Sequence, residues 1–210
     1  MYVPPSFEIT SPSRLAAFME AHSFATLVTH DGTSPFASHL PMRFFADRGK
    51  HGTLVAHMAR ANPQWKRFTP EAEVLAIFQG PHAYVSPTWY EAELAVPTWN
   101  YAAVHAYGVA SIIEDHAQVV ELLQETVAHY EQDRKPSWNG DLPIEFRDRL
   151  IQSIVAFEIP LARLEGKFKF GQNRSPEDAQ KVLSHLIASA DPVARALAAL
   201  MREELPQFRE

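Results

Sequence analysis

The stretch Phe24-Ala-Thr-Leu-Val-Thr-His-Asp31-Gly32-Thr-Ser-Pro35-Phe-Ala-Ser-His39-Leu40-Pro41-Met-Arg-Phe-Phe45 decides the fold. Residues 24–29 read as a strand, Asp31-Gly32 is a strong hairpin signal, and residues 35–45 read as the returning strand. Pro41 has no N–H to give to a ladder, so His39-Leu40-Pro41 argues for an edge, a bulge or a break. Working outward, residues 47–52 make a second turn before a strand at 53–57. Residues 59–68 are expected to form a short helix with a turn at Asn62-Pro63, leading into a strand at 73–79. A third pair of strands, 83–86 and 104–114, flanks a long connection containing Pro and Trp, and such a loop in a compact domain is more often functional than idle. Residues 154–164 close a barrel-like set of strands.

Helices interrupt this series. Ser11-Pro12-Ser13 supplies a cap and a first-turn proline for a helix reaching His22. Residues 116–132 carry apolar Val119, Val120, Leu123 and Val127 at helical spacing, and residues 144–151 continue in that style. Two more helices, 175–189 and 192–205, each open on a Ser-Pro or Asp-Pro cap. Many short strands with a few helices fit a mainly β, α+β class: a small barrel decorated with helices, ending in a C-terminal helical segment. The expected division is a barrel domain over 1–165 and a helical extension over 166–210. Neither G-x-G-x-x-G nor a P-loop occurs, which argues against those nucleotide sites.

Composition narrows the function classes. The 210 residues suffice for one substantial domain, and 46% hydrophobic with 21% charged residues reads as globular. No apolar run approaches the roughly 20 residues that span a bilayer, and the N-terminal segment has neither a basic n-region nor an apolar h-region. The expectation is therefore a cytoplasmic protein without membrane contact. The absence of cysteine excludes disulfides, thiolate metal sites and cysteine nucleophiles, so redox chemistry would need a bound cofactor. A net charge of −6 disfavours nonspecific contact with DNA, and no helix-turn-helix stands out. The ten histidines form no H-E-x-x-H or H-x-H pair, so no metal site is expected. G-x-S-x-G is missing too, and Glu91 with Glu93 reads as a solvated cluster.

The segment His57-Met-Ala-Arg60-Ala-Asn62-Pro-Gln-Trp65 concentrates groups suited to an anion held beside an aromatic ring system. A guanidinium fork matches phosphate oxygens two at a time, while Trp and His offer flat faces and polar edges. Taken alone, Arg60 reads more readily as a solvated surface arginine, and His57 and Trp65 as satisfied core residues. Residues 78–90 and 96–108 repeat the theme, placing Trp, Tyr, His and Asn at apparent strand ends.

Met1-Tyr-Val-Pro-Pro-Ser-Phe7, His39-Leu-Pro41, the 57–65 segment, residues 78–90, Val96-Pro-Thr-Trp-Asn-Tyr101 and Lys167-Phe-Lys-Phe-Gly-Gln-Asn-Arg174 occur in an ordered series covering most of the chain. In this the chain resembles the PaiB-like family of FMN-binding split-barrel proteins, the FMN-binding negative transcriptional regulators. The resemblance implies a split β-barrel that forms a homodimer with FMN in grooves between the subunits. It implies that Arg60 and Asn62 hold the FMN phosphate, that His57 and Trp65 border the flavin or ribityl chain, and that His39, Leu40 and Pro41 run along the isoalloxazine edge. Trp99, Asn100 and Tyr101 would form a wall supplied across the dimer interface. Gln172, Asn173 and Arg174 would hold phosphate or ribityl hydroxyls, or cap the helix that follows. Gly171 stands where this family usually has Ser, removing a hydroxyl from that segment. A regulatory partner protein, small metabolite or DNA is implied on looser grounds, and the charge does not support DNA. The alternative is an FMN-dependent oxidoreductase, flavin-reductase-like and using NAD(P)H.

Overall fold

The computed structural model describes residues 1–92, 94–205 and 208. In chain order the elements are β1 (Glu8–Ile9), α1 (Pro12–Ala21), β2 (Phe24–His30), β3 (Pro35–Phe45), β4 (Thr53–Ala59), β5 (Glu73–Val85), β6 (Thr98–Val109), β7 (Ser111–Ile112), α2 (His116–Glu131), α3 (Ile144–Gln152), β8 (Ile154–Lys169), α4 (Pro176–Ile187) and α5 (Pro192–Glu204). The sheet runs β1-β8-β4-β3-β2-β5-β6, with β7 on β8 and a further β6–β8 pairing that returns the path on itself. The fold is a split β-barrel with helices, as the sequence pattern indicates.

The deciding hairpin forms where expected, with His30 opposite Pro35 across a four-residue loop. Asp31 makes that loop: its Oδ1 accepts from Thr33 N at 2.9 Å and Ser34 N at 2.8 Å. The same two amides draw the Asp31 carboxyl below its ordinary pKa. Pro41 breaks nothing. β3 pairs with β2 from Pro35 to Pro41, and with β4 from Met42 to Phe45. The proline thus sits where pairing passes from one neighbour to the other.

Three expectations need correction. Residues 59–68 are not one helix: Ala59 ends β4 and only Pro63–Arg67 turn, as a 3-10 helix. Pro63 disfavours helical backbone at Asn62, which is extended with φ −72° and ψ 117°. Residues 73–79 and 83–85 belong to one strand, β5, which passes through Gly80-Pro81, and Ser86 lies just beyond it. Burial alternates through Val74, Ala76, Phe78 and Gly80, then resumes at Ala83 and Val85 with its phase moved by one residue, as at a bulge. β6 begins at Thr98, before the expected 104, and ends at Val109 rather than 114, with Ser111–Ile112 forming the separate β7, while β8 runs on past the expected 164 to Lys169.

Two compact units divide the chain, one of residues 1–18, 78–105 and 165–210, the other of 19–77 and 106–164. In the first, Ser175 and Asp191 cap α4 and α5 through the amides of Asp178 and Val193, and Pro176 and Pro192 fit first-turn positions that need no donor. Both helices bury one stripe: Ala179, Val182, Leu183 and Leu186 on α4, Ala194, Leu197, Ala198 and Met201 on α5. Burying a side chain such as Leu197 contributes roughly 1.5–3 kcal/mol. Phe168 packs between Phe18 at 4.9 Å and Phe170 at 5.6 Å. In the second unit Val55 and Ala156 pack with Val119 and Leu122 of α2 and Ile151 of α3.

Candidate functional site

Within the second unit β3 and β4 part company. Their pairing ends at Met42 opposite Ala56, after which His57, Met58 and Ala59 pair with Ala156, Val155 and Ile154 of β8. The edge of β3 from Phe36 to Ser38 is instead met by the segment that follows β4. Asn62 Nδ2 donates to Ser38 Oγ at 2.8 Å while Asn62 Oδ1 accepts from Gln64 N at 3.0 Å. Gln64 is fully buried, and its Nε2 donates to Leu27 O at 2.9 Å and Phe36 O at 3.2 Å. Its Oε1 has no hydrogen-bond partner. A short 3-10 turn capped by Asn62 therefore lies in the notch where the two strands stop pairing, and Asn62 and Gln64 hydrogen-bond there to Ser38 and Phe36 of β3.

Arg60 is committed in part to the scaffold. Its Nε donates to Gln152 O at 2.8 Å and its Nη2 to Ile154 O at 2.7 Å, holding the α3–β8 turn and leaving three of its five donors. Trp65 Nε1 donates to Arg60 O at 3.0 Å, and Lys66 Nζ lies 5.7 Å from the Trp65 ring. Arg67 pairs with Asp31 at 2.9 Å, whereas Arg60 and Lys66 form no ion pair among the described residues. Arg60 and Trp65 also line a cavity of about 340 Å³ with Ile112, His116 and Ile154. His57 is half-buried, and that burial lowers its imidazole pKa below the ordinary 6.5, so it is neutral at neutral pH. On β3, exposed His39 lies with Nδ1 3.0 Å from Thr26 Oγ1 and its ring stacked over Phe24 at 6.3 Å. Leu40 and Pro41, opposite Ala25 and Phe24, are half-buried.

The first unit gathers another set. Trp99 is 53% exposed and meets His82 at 6.1 Å and Tyr84 edge-on at 6.0 Å, while Asn100 is buried. Gln172 closes the end of β8 on itself, its Oε1 accepting from Phe170 N at 2.8 Å and its Nε2 donating to Phe168 O at 2.6 Å. Asn173 is exposed, and Arg174 lies over the Tyr90 ring at 4.5 Å. None of the three caps α4, because Ser175 does. Gly171 has φ +81°, a conformation that glycine adopts without strain and serine does not. Of the two loop carboxylates, Glu91 pairs with Lys181 at 2.6 Å, and Glu93 lies outside the described residues.

Sequence reading missed Gln64, whose burial follows only from the strand divergence. Lys167 and Lys169 were also passed over, although Lys-Phe-Lys-Phe in a strand places both lysines on one face. Among the described residues no cluster of His, Asp and Glu is arranged to hold a metal, and no helix is long and apolar enough to cross a membrane.

The sequence profile of the family described as "Putative FMN-binding domain" matches residues 1–163. The chain is 37% identical over 206 residues to the protease synthase and sporulation protein PAI 2 of Bacillus subtilis, covering 98% of each. Two solved structures share the fold at 15% identity and a TM-score of 0.60. They are a FAD and heme binding protein from Mycobacterium smegmatis, covering 82% of this chain and 78% of that one, and the flavocytochrome Anf3 from Azotobacter vinelandii, covering 83% and 75%.

Proposed function

Because the chain belongs to the FMN-binding domain family and is PaiB-like along its length, we propose that it is a homodimeric flavoprotein acting as a regulator, with FMN seated at the β3–β4 notch. FMN is the cofactor of this family. The observation that carries the placement is the divergence of the two strands beyond Met42 and Ala56, with cationic Arg60 and Lys66 beside it and no carboxylate paired to either among the described residues. The donor set fits a phosphate: three remaining guanidinium N–H groups, an ammonium, and Asn62 in a rigid turn. His57, neutral and half-buried, and Trp65 suit the border of a planar ring system, and His39, Leu40 and Pro41 its edge. Exposed Trp99 is the wall that a second subunit would supply, and buried Asn100 is left out of it. Gln172, Asn173 and Arg174 are left out of the flavin set, since the Gln172 amide is engaged at both ends and Arg174 faces Tyr90. Bound FMN supplies hydride or electron transfer, and the protein's part is to orient it. The regulatory role rests on the kinship with PAI 2 and on no feature of the site.

The test is an absorbance spectrum of the purified chain after adding FMN and removing the excess by gel filtration. Retained flavin near one equivalent per chain is expected, and its absence from folded protein would overturn the placement. Arg60→Ala should then weaken FMN binding by about 1.5–3 kcal/mol in a fluorescence titration, the range for a lost charge-assisted hydrogen bond. Unchanged affinity would remove Arg60 from the phosphate site.

A further inference from the structure

At the end of β8, Lys167 and Lys169 stand two residues apart on one face of the strand, with Arg174 just beyond the Gly171 turn. Lys167 is only 8% exposed, yet its Nζ meets no carboxylate: it donates to Tyr2 O at 3.0 Å and lies over the rings of Tyr2 at 5.4 Å and Tyr101 at 5.2 Å. Lys169 Nζ donates to Thr98 Oγ1, and Arg174 rests on Tyr90. Burial first, and then repulsion from Lys167 and Arg174, hold the Lys169 ammonium below the usual lysine range. Glu8 is opposite Lys167 in the β1–β8 register, but its side chain is exposed and makes no ion pair. No carboxylate is paired with any of the three cations among the described residues. Taking an isolated buried charge out of water is costly unless an opposite charge accompanies it. Carbonyl, hydroxyl and aromatic faces satisfy these cations only in part.

We infer that Lys167, Lys169 and Arg174 form a second ligand site, for the phosphate of a small phosphate monoester, separate from the flavin. Glu165, on the same face of β8, is paired with the Met1 ammonium, so three cations stand against the carboxylate of Glu8 and match a dianion better than a carboxylate group; a phosphate monoester is largely dianionic at neutral pH. Its oxygens accept from the two ammonium groups and the guanidinium fork, and the rings of Tyr90 beside Arg174 and Tyr101 beside Lys167 offer aromatic faces to the organic part. The site goes beyond the flavin placement and does not depend on it.

The full-length protein, loaded with FMN, is acetylated at pH 7.5 and modification of Lys169 is followed by peptide mass spectrometry, with exposed Lys50 as the internal control. Inorganic phosphate and phenyl phosphate are titrated in turn against chloride of equal ionic strength. Protection of Lys169 by at least about fivefold is expected, saturating with concentration and leaving Lys50 unchanged. Protection at lower concentration by phenyl phosphate assigns the site to organic phosphates, and equal protection assigns it to phosphate itself. Arg174→Gln should abolish the protection and Arg174→Lys restore part of it, with flavin content per chain unchanged in both. No protection in the wild type, or full protection in folded Arg174→Gln, overturns the site. Protection by FMN itself, or loss of flavin from Arg174→Gln, overturns its separateness by assigning the cluster to the cofactor. If the chain retains no FMN at all, phosphate protection is still expected, so the two placements fail separately.

Discussion

Gln64 carries the notch at the level of single residues. Its amide N–H groups donate to Leu27 O and Phe36 O, so a shape-conserving Gln64→Leu removes both hydrogen bonds from a buried position. A loss of about 1–3 kcal/mol is expected in urea denaturation, at roughly 0.5–1.5 kcal/mol for each of the two hydrogen bonds. No change would mean that water replaces the amide. His57 ties stability to pH. Its folded pKa lies below the unfolded value of 6.5, so the unfolded chain takes up the proton more readily. The stability this contributes is complete above about pH 6.5 and is lost as pH falls through the folded value. The urea midpoint should therefore drop between pH 7.5 and 5.5, and less steeply in His57→Gln. An equal slope in the two proteins would show that other groups control it, His22 being a half-buried histidine shifted the same way. Gly171, by contrast, shows a sequence signal misread: the missing serine hydroxyl was visible, but the positive φ that favours glycine there was not.

Among the elements, helices were the most legible, because a cap and a proline are local signals. Ser175-Pro176 and Asp191-Pro192 announce α4 and α5, and both start there. Strand ends were less legible. Gly80-Pro81 and the polar opening of β6 look like interruptions, and only pairing with neighbours carries the strands through them. Close approach between strands is equally invisible in one dimension. A Cβ added to Gly108 of β6 would sit 2.3 Å from the backbone oxygen of Pro160 on β8, so strand must move from strand. Gly108→Ala should cost about 1–3 kcal/mol, as overpacked sites do, read as a lowered melting temperature. A melting temperature equal to the wild type's would show that the sheet yields at this point.

For the whole molecule, the exposed apolar groups on β2 and β3 bear on assembly. Phe24 is 70% exposed beside exposed His39, an unusual position for an aromatic side chain on a paired strand. If this face meets a second copy, the wild type should scatter light as a dimer and Phe24→Asp should shift it to monomer at micromolar concentration. A monomeric wild type would sink the homodimer. The sequence by itself determined the hairpin at Asp31-Gly32, the capped helices, the β-rich class and, through the motif series from His39 to Arg174, the family. Those signals are local or depend on order along the chain. Tertiary structure alone decided that β3 and β4 part after Met42, that the Arg60 fork is partly spent on Gln152 and Ile154, and that Lys167, Lys169 and Arg174 pair with no carboxylate among the described residues. Each of these depends on which distant segments meet, and pairing and charge balance between distant segments leave no periodic trace in the chain.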